Sequence, residues 1–125
     1  MRTIRQKHHI PATPEEVYIA LTNPFTIELW SGYPAEMSVE PGSEFSIFEG
    51  DIVGKNLEFK PDELIRQHWY FEGEENDSVV TIRLSPEKNN TVVELIHENV
   101  PEEVYEEMVL GWKKMYFGSL KRFFK

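Results

Sequence analysis

The stretch Pro101–Lys125, PEEVYEEMVLGWKKMYFGSLKRFFK, decides how this chain is read. At 100° per residue, Val104, Tyr105, Met108, Val109, Trp112, Met115, Tyr116, Leu120 and Phe123 gather on one broad apolar face. That is the pattern of a long amphipathic helix laid across something apolar, here a sheet. The charges along it are segregated: Glu102, Glu103, Glu106 and Glu107 open the segment, and Lys113, Lys114, Lys121, Arg122 and Lys125 close it. This order complements the helix dipole of a solvated helix; the alternative reading is a bipolar docking surface for a partner with matching patches. Leu110, Phe117 and Phe124 recur every seven residues on the side away from the main face. They are expected either against short N-terminal helices or as an exposed strip for self-association or a partner helix. Gly111 and Gly118, also seven apart, each cost a helix about 1 kcal/mol relative to alanine, so close approach of a neighbour or room for a ligand is expected there.

Working outward, the residues before this segment are punctuated at strand spacing. Turn signals stand at Pro41-Gly42, Gly50-Asp51, Lys60-Pro61-Asp62, Gly73 through Asp77 and Pro86 through Asn90. They divide the chain into strands at 36–39, 43–48, 51–59, 64–71, 78–84 and 91–97, close enough in sequence to form an antiparallel meander. Thr3 to Ile10 alternates as a first strand. Thr13 followed by Pro14, Glu15 and Glu16 marks a helix start, and Asn23-Pro24 opens a second short helix ending near Trp30. By alternation, Phe45, Ile47, Leu57, Phe59, Ile65, Trp69, Phe71, Val80, Ile82, Leu84, Val93 and Leu95 face the long helix, with Gln67 and His97 in phase among them. Glu44, Glu58, Arg66, Arg83, Glu94 and Glu98 face water. The expected fold is α+β: a curved antiparallel sheet of six to seven strands gripping a C-terminal helix, in the order strand, two helices, strands, helix.

Composition narrows function by exclusion. The 125 residues are expected to form one domain spanning 1–125, and 40% hydrophobic content supports a packed core. Thirteen basic against 22 acidic side chains give a net charge of −9, which repels nucleic acid and anionic lipid. No apolar run approaches the roughly 20 residues of a membrane span, and Met1–Ile10 lacks the apolar stretch of a secretory signal, so a cytoplasmic location is expected. Cysteine is absent, which removes disulfides, thiolate catalysis and cysteine-ligated zinc. His8 and His9 point to opposite faces of a strand, His68 and His97 fall on opposite phases of theirs, and no zinc-binding histidine pair appears, so no metal or cofactor is expected. Glu72, Glu74, Glu75 and Asp77 read as a solubilising loop cluster, and no nucleophile elbow or phosphate loop is present. Catalysis is therefore the minor reading.

The stretch WSGYPAEMSVEPGSEFSIFEGDIVGKNLEFKPDELIRQHW from Trp30, together with the ending ENVP…GWKKMYFGSLKRFF, resembles the C-terminal domain of activators of the heat-shock protein 90 ATPase. The motifs are Pro41-Gly42 before Phe45, the glycines Gly50 and Gly54, Trp69, and Gly111-Trp112 with Tyr116 on the last helix. The resemblance implies a START-like helix-grip fold, shared with birch-pollen allergens and polyketide cyclases, and a cavity between sheet and helix. Members of that superfamily bind lipids, sterols or aromatic metabolites, and a few are enzymes. Eukaryotic activators carry a further N-terminal domain central to stimulating the chaperone, and this chain starts at the first strand of the C-terminal domain.

Within that frame the expected ligand-binding residues are Trp30, Phe45, Phe59, Gln67, Trp69, Ile82, His97, Met108, Trp112 and Tyr116. Aromatic rings would wall a site for a small apolar or aromatic ligand, and the amide of Gln67 and imidazole of His97 would orient it. Core packing explains the same rings, and a hydrogen-bonded core histidine explains His97. Three functions follow: a small-molecule binding module with a cavity of roughly 300 Å³ or more; a module that binds a heat-shock protein 90 chaperone and changes its ATP turnover; and an enzyme using a solvent-reachable His97 beside a carboxylate. The chain is expected to be a monomer or a weak homodimer.

Overall fold

A computed structural model describes residues 1–71 and 77–125. The turn expected at Gly73–Asp77 and the acidic residues Glu72, Glu74 and Glu75 lie outside the described residues, apart from Asp77.

Alternation in Arg2–Ile10 produces strand β1, whose Ile4, His8 and Ile10 are buried. Two short helices follow, each started by the side chain the sequence points to. Thr13 and Glu16 form a reciprocal capping box at α1 (Pro14–Thr22), the Glu16 carboxylate accepting from the Thr13 amide at 3.0 Å. Those bonds hold the Glu16 carboxyl below its ordinary pKa. The Asn23 Oδ1 accepts from the amides of Phe25 and Thr26 at 2.9 and 3.1 Å and caps α2 (Pro24–Ser31), which Gly32 ends at φ +86°.

Strands β2 (Glu44–Ile47), β3 (Ile52–Lys60), β4 (Leu64–Trp69), β5 (Val79–Glu87) and β6 (Asn90–Val100) form the meander. β1 adds antiparallel to β6, giving the order β1-β6-β5-β4-β3-β2. The β5–β6 hairpin is tighter than expected: pairing continues to Glu87–Asn90, with Pro86 inside the ladder opposite Thr91.

Two expectations for the sheet are corrected. Residues 36–39 are not a strand and contribute only the bridge Glu36–Ser46. Side chains take the segment's polar groups instead, since the Asn56 amide donates to the Ser38 carbonyl at 3.1 Å and the Ser38 hydroxyl to that of Ser43 at 3.1 Å. Leu57 faces solvent, not the helix. β3 carries an extra residue there: Asn56 opposes Gln67 and Glu58 opposes Arg66, so the bulge turns Asn56 into the core and Leu57 out.

The last segment opens with a 3₁₀ turn (Glu102–Val104) and continues as α3 (Tyr105–Leu110), a π-helical turn (Gly111–Tyr116) and α4 (Phe117–Phe123), with helical dihedrals at the two later junctions and Val104 at φ −113°, ψ 5° at the first. The wide turn delays the phase by about one residue. Trp112, Tyr116 and Leu120 point into the core as expected, but Met115 and Phe123 are exposed. Phe117, expected on the far side, is fully buried and stacks on His8 at 4.5 Å, while Leu110 of the same heptad stripe stays in solvent. The π turn also explains Gly118: a Cβ there would stand 2.8 Å from the Lys113 carbonyl oxygen of its own helix. Gly118 thus answers to its own helix and not to the sheet. At Gly111 nothing among the described residues lies within 4 Å of that point.

Candidate functional site

The interior between sheet and helix is filled by rings. Trp69 of β4 stacks on Trp112 at 4.6 Å, and Trp112 meets Tyr116 at 4.6 Å and Phe117 at 5.6 Å. Trp30 closes one end edge-on to Tyr116 at 5.2 Å and to Phe48 at 5.9 Å. Its indole N–H points elsewhere, donating to the Ala20 carbonyl at 2.7 Å and tying α2 to α1. Phe48, which the sequence reading did not select, is left-handed at φ +53° in the β2–β3 turn and buried. Gly54 makes room on the opposite strand: a Cβ there would overlap the His68 carbonyl oxygen and stand 2.9 Å from the Phe45 ring.

The polar atoms inside are already partnered. The Trp112 indole N–H donates to His97 Nδ1 at 3.0 Å, which places the imidazole proton on Nε2, 2.9 Å from the Ser78 hydroxyl. Ser78 in turn donates to the Glu98 carbonyl at 3.1 Å. Burial lowers the His97 pKa to about 3, so this imidazole is neutral at physiological pH. It is fully buried, and its side-chain partners among the described residues include no carboxylate, unlike the solvent-reachable His97 beside a carboxylate that the enzyme reading expects. Gln67 is likewise committed: it accepts from the Trp69 indole at 3.0 Å and donates to Asn56 Oδ1 at 3.0 Å. Asn56 then donates to the Ser38 carbonyl and the Ser43 hydroxyl, both at 3.1 Å. Neither Gln67 nor His97 has a donor or acceptor turned to an empty space, contrary to the orienting roles expected of them.

A second buried imidazole went unselected in the sequence. His8 Nε2 lies 2.7 Å from Gln6 Oε1 and Nδ1 lies 3.3 Å from the Lys121 ammonium, while Gln6 donates to the Val109 carbonyl at 3.1 Å. Burial, then the charge of Lys121, lower its pKa to about 4. This chain clamps β1 to both halves of the last helix.

What remains open under the helix is a cleft of about 190 Å³ lined by Phe48, Asp51, Ile52, Trp69, Glu107, Met108, Gly111, Trp112, Met115 and Tyr116. Of the ten expected ligand-binding residues it brings together Trp69, Met108, Trp112 and Tyr116. Phe45 and Ile82 are buried core, Phe59 is half-buried against it, and Trp30, Gln67 and His97 are engaged as described. This cleft is smaller than the expected 300 Å³; a neighbouring one of about 170 Å³ shares Asp51, Ile52, Trp69 and Met108 with it, and the stacked indoles of Trp69 and Trp112 stand at the centre of the grip. Burial raises the Tyr116 phenol above its ordinary pKa, so it stays protonated.

Outside, α2 presents Phe25 at 77% and Leu29 at 71% exposure, one turn apart on the same face. A shallow groove of about 260 Å³ beside them is lined by Leu29, Trp30, Ser119, Arg122 and Phe123. Adjacent exposed apolar side chains of this size are a mark of interaction surfaces. Among the described residues no group of three or more histidine or carboxylate side chains is placed to hold a metal ion, and no helix is long and apolar enough to cross a membrane.

A six-stranded curved sheet closed by a C-terminal helix over a packed aromatic interior defines a helix-grip, START-like protein. The chain belongs to the family described as activator of Hsp90 ATPase homolog 1-like protein, whose model matches residues 11–125. It is 26% identical over 123 residues to the mouse activator of 90 kDa heat shock protein ATPase homolog 1, covering 97% of this chain and 36% of that protein. A homolog from Dictyostelium discoideum is 26% identical over 126 residues, 98% of this chain and 33% of its own length. The chain thus spans about a third of these curated relatives. An HSP90 activator from Plasmodium falciparum superposes with a TM-score of 0.89 at 26% identity, covering 98% of this chain and 95% of that one. The Aha1 dimer from Colwellia psychrerythraea gives 0.86 at 22% identity, covering 99% and 96%.

Proposed function

We propose that this chain is a protein-binding module that engages a heat-shock protein 90 chaperone in the cytoplasm and alters its ATP turnover. The observation that carries this reading is the contrast between an interior whose polar groups are committed and an outer face with Phe25 and Leu29 bare in water. Family membership supports it, as does the Plasmodium HSP90 activator, a chain of nearly the same extent. The groove of Leu29, Ser119, Arg122 and Phe123 supplies an apolar seat edged by one cation. Binding is weak, and where the partner's facing patch is basic it falls with salt, because the chain's net charge of −9 is then screened. Titration of the protein into heat-shock protein 90 from the same source should change its ATPase rate; no response at high molar excess removes the reading.

The cleft favours a second reading, a small ligand held by Trp69, Met108, Trp112 and Tyr116. Its size suits a compact aromatic or short aliphatic molecule better than a sterol or lipid. Native mass spectrometry of freshly purified protein tests this: a retained small molecule supports it, and the bare chain mass counts against it.

A further inference from the structure

We infer that the cleft under the last helix takes a small aromatic amine, its ring against the indoles and its ammonium at the carboxylates of Asp51 and Glu107. The inference rests on the small-ligand reading of this cleft and names the class of that ligand. The lining is graded by burial: Phe48, Trp69, Trp112 and Tyr116 are buried on its inner wall, while Asp51 and Glu107 are exposed at its rim. Neither carboxylate forms an ion pair among the described residues. No lysine, arginine or histidine lines this cleft or the neighbouring one that shares Asp51 and Trp69 with it. An anionic ligand would meet two like charges with no cation to offset them, whereas an ammonium is attracted both by the rim and by the rings below it. At about 190 Å³ the cleft suits a single ring with a short arm.

Tyr116 and Gly111 supply independent observations. Tyr116 is 4% exposed, yet its hydroxyl, an exception to the partnered interior, has no hydrogen-bond partner among the described residues. Among those residues no side-chain oxygen is both unpartnered and sealed off, so this hydroxyl opens onto the cleft that Tyr116 lines. Burial keeps it protonated, free to donate to an oxygen at the inner end of a ligand. Gly111 has helical dihedrals, φ −59° and ψ −45°, and nothing among the described residues stands within 4 Å of where its Cβ would be. Glycine weakens a helix relative to alanine, and no turn or neighbour requires it here. Its place in the cleft lining gives that open space a use.

The test is an NMR titration of the whole chain, following the indole N–H signals of Trp69 and Trp112, with three probes that share a phenol ring and a short arm. Tyramine ends in an ammonium, tyrosol in a hydroxyl and para-hydroxyphenylacetate in a carboxylate. Tyramine should bind about tenfold or more tighter than tyrosol, and para-hydroxyphenylacetate weakest of the three. Asp51→Asn/Glu107→Gln should abolish the preference for tyramine over tyrosol. Tyr116→Phe should abolish the advantage of tyramine over phenethylamine, which lacks the phenol oxygen. Thermal melts of each variant separate lost binding from lost fold. Equal affinity for tyramine and tyrosol, or a preference that survives in the double variant, overturns the amine and leaves the small-ligand reading standing. No response to any probe also overturns the proposal, and the small-ligand reading then rests on the native mass spectrum alone.

Discussion

The space under the last helix and the outer face of α2 are built from the same residue types and finished to opposite degrees. Inside, the indole of Trp112, the imidazole of His97 and the hydroxyl of Ser78 close into one hydrogen-bonded run ending on a backbone carbonyl, and Trp69, Gln67 and Asn56 form another. Outside, Phe25 and Leu29 are largely exposed among the described residues. A helix-grip fold can spend its aromatic residues on a pocket or on its own stability. Here most of them stabilise, and the proposed recognition lies on the surface.

Breaking the interior should cost most. Trp112→Ala removes a stacked ring and leaves His97 Nδ1 without its donor, a loss of about 3–5 kcal/mol by denaturant unfolding. The same network carries a pH signature. His97 titrates near 3 when folded and near 6.5 when unfolded, so the unfolded chain binds the extra proton between those values. Stability from this group is therefore full above pH 6.5 and declines as pH falls toward 3, by about 1.4 kcal/mol per pH unit in the steep region. Unfolding curves of His97→Gln against pH should lack that component of the slope. Gly54→Ala forces a methyl group onto the His68 carbonyl and should cost about 1–3 kcal/mol, read as a lower melting temperature. At the boundary between the two regions the sign reverses. Gly111→Ala, with open space at the Cβ, should stabilise by up to about 1 kcal/mol and shift the thermal midpoint upward. On the outer face, Phe25→Ser with Leu29→Ser should move stability by no more than about 0.5 kcal/mol.

Much of the frame was legible because periodicity and punctuation report it directly. The caps at Thr13 and Asn23, the meander from β2 to β6 and the inward aim of Trp112 and Tyr116 follow from residue spacing, whereas the place of β1 beside β6 does not. What escaped the sequence came from one-residue slips. A bulge at Asn56–Glu58 exchanged the faces of Asn56 and Leu57, and the π turn at Gly111–Tyr116 exchanged Phe117 for Met115. Neither has a compositional signal at a fixed offset, since each depends on which neighbour accepts the displaced backbone. An asparagine amid strand residues and a glycine at the end of the wide turn are the nearest clues. The size of the cleft was not legible at all. Alternation says that Trp69 and Trp112 face one another, not whether they stack and close the gap.

The most direct test of an outward-acting module is the ATPase rate of heat-shock protein 90 from the same source, titrated with this chain and with its Phe25→Ser/Leu29→Ser variant. The account predicts a saturating, salt-sensitive change with the parent chain and at least about a tenfold weaker response with the equally stable variant. An unchanged rate with the parent chain, or an equal response from both, would contradict it.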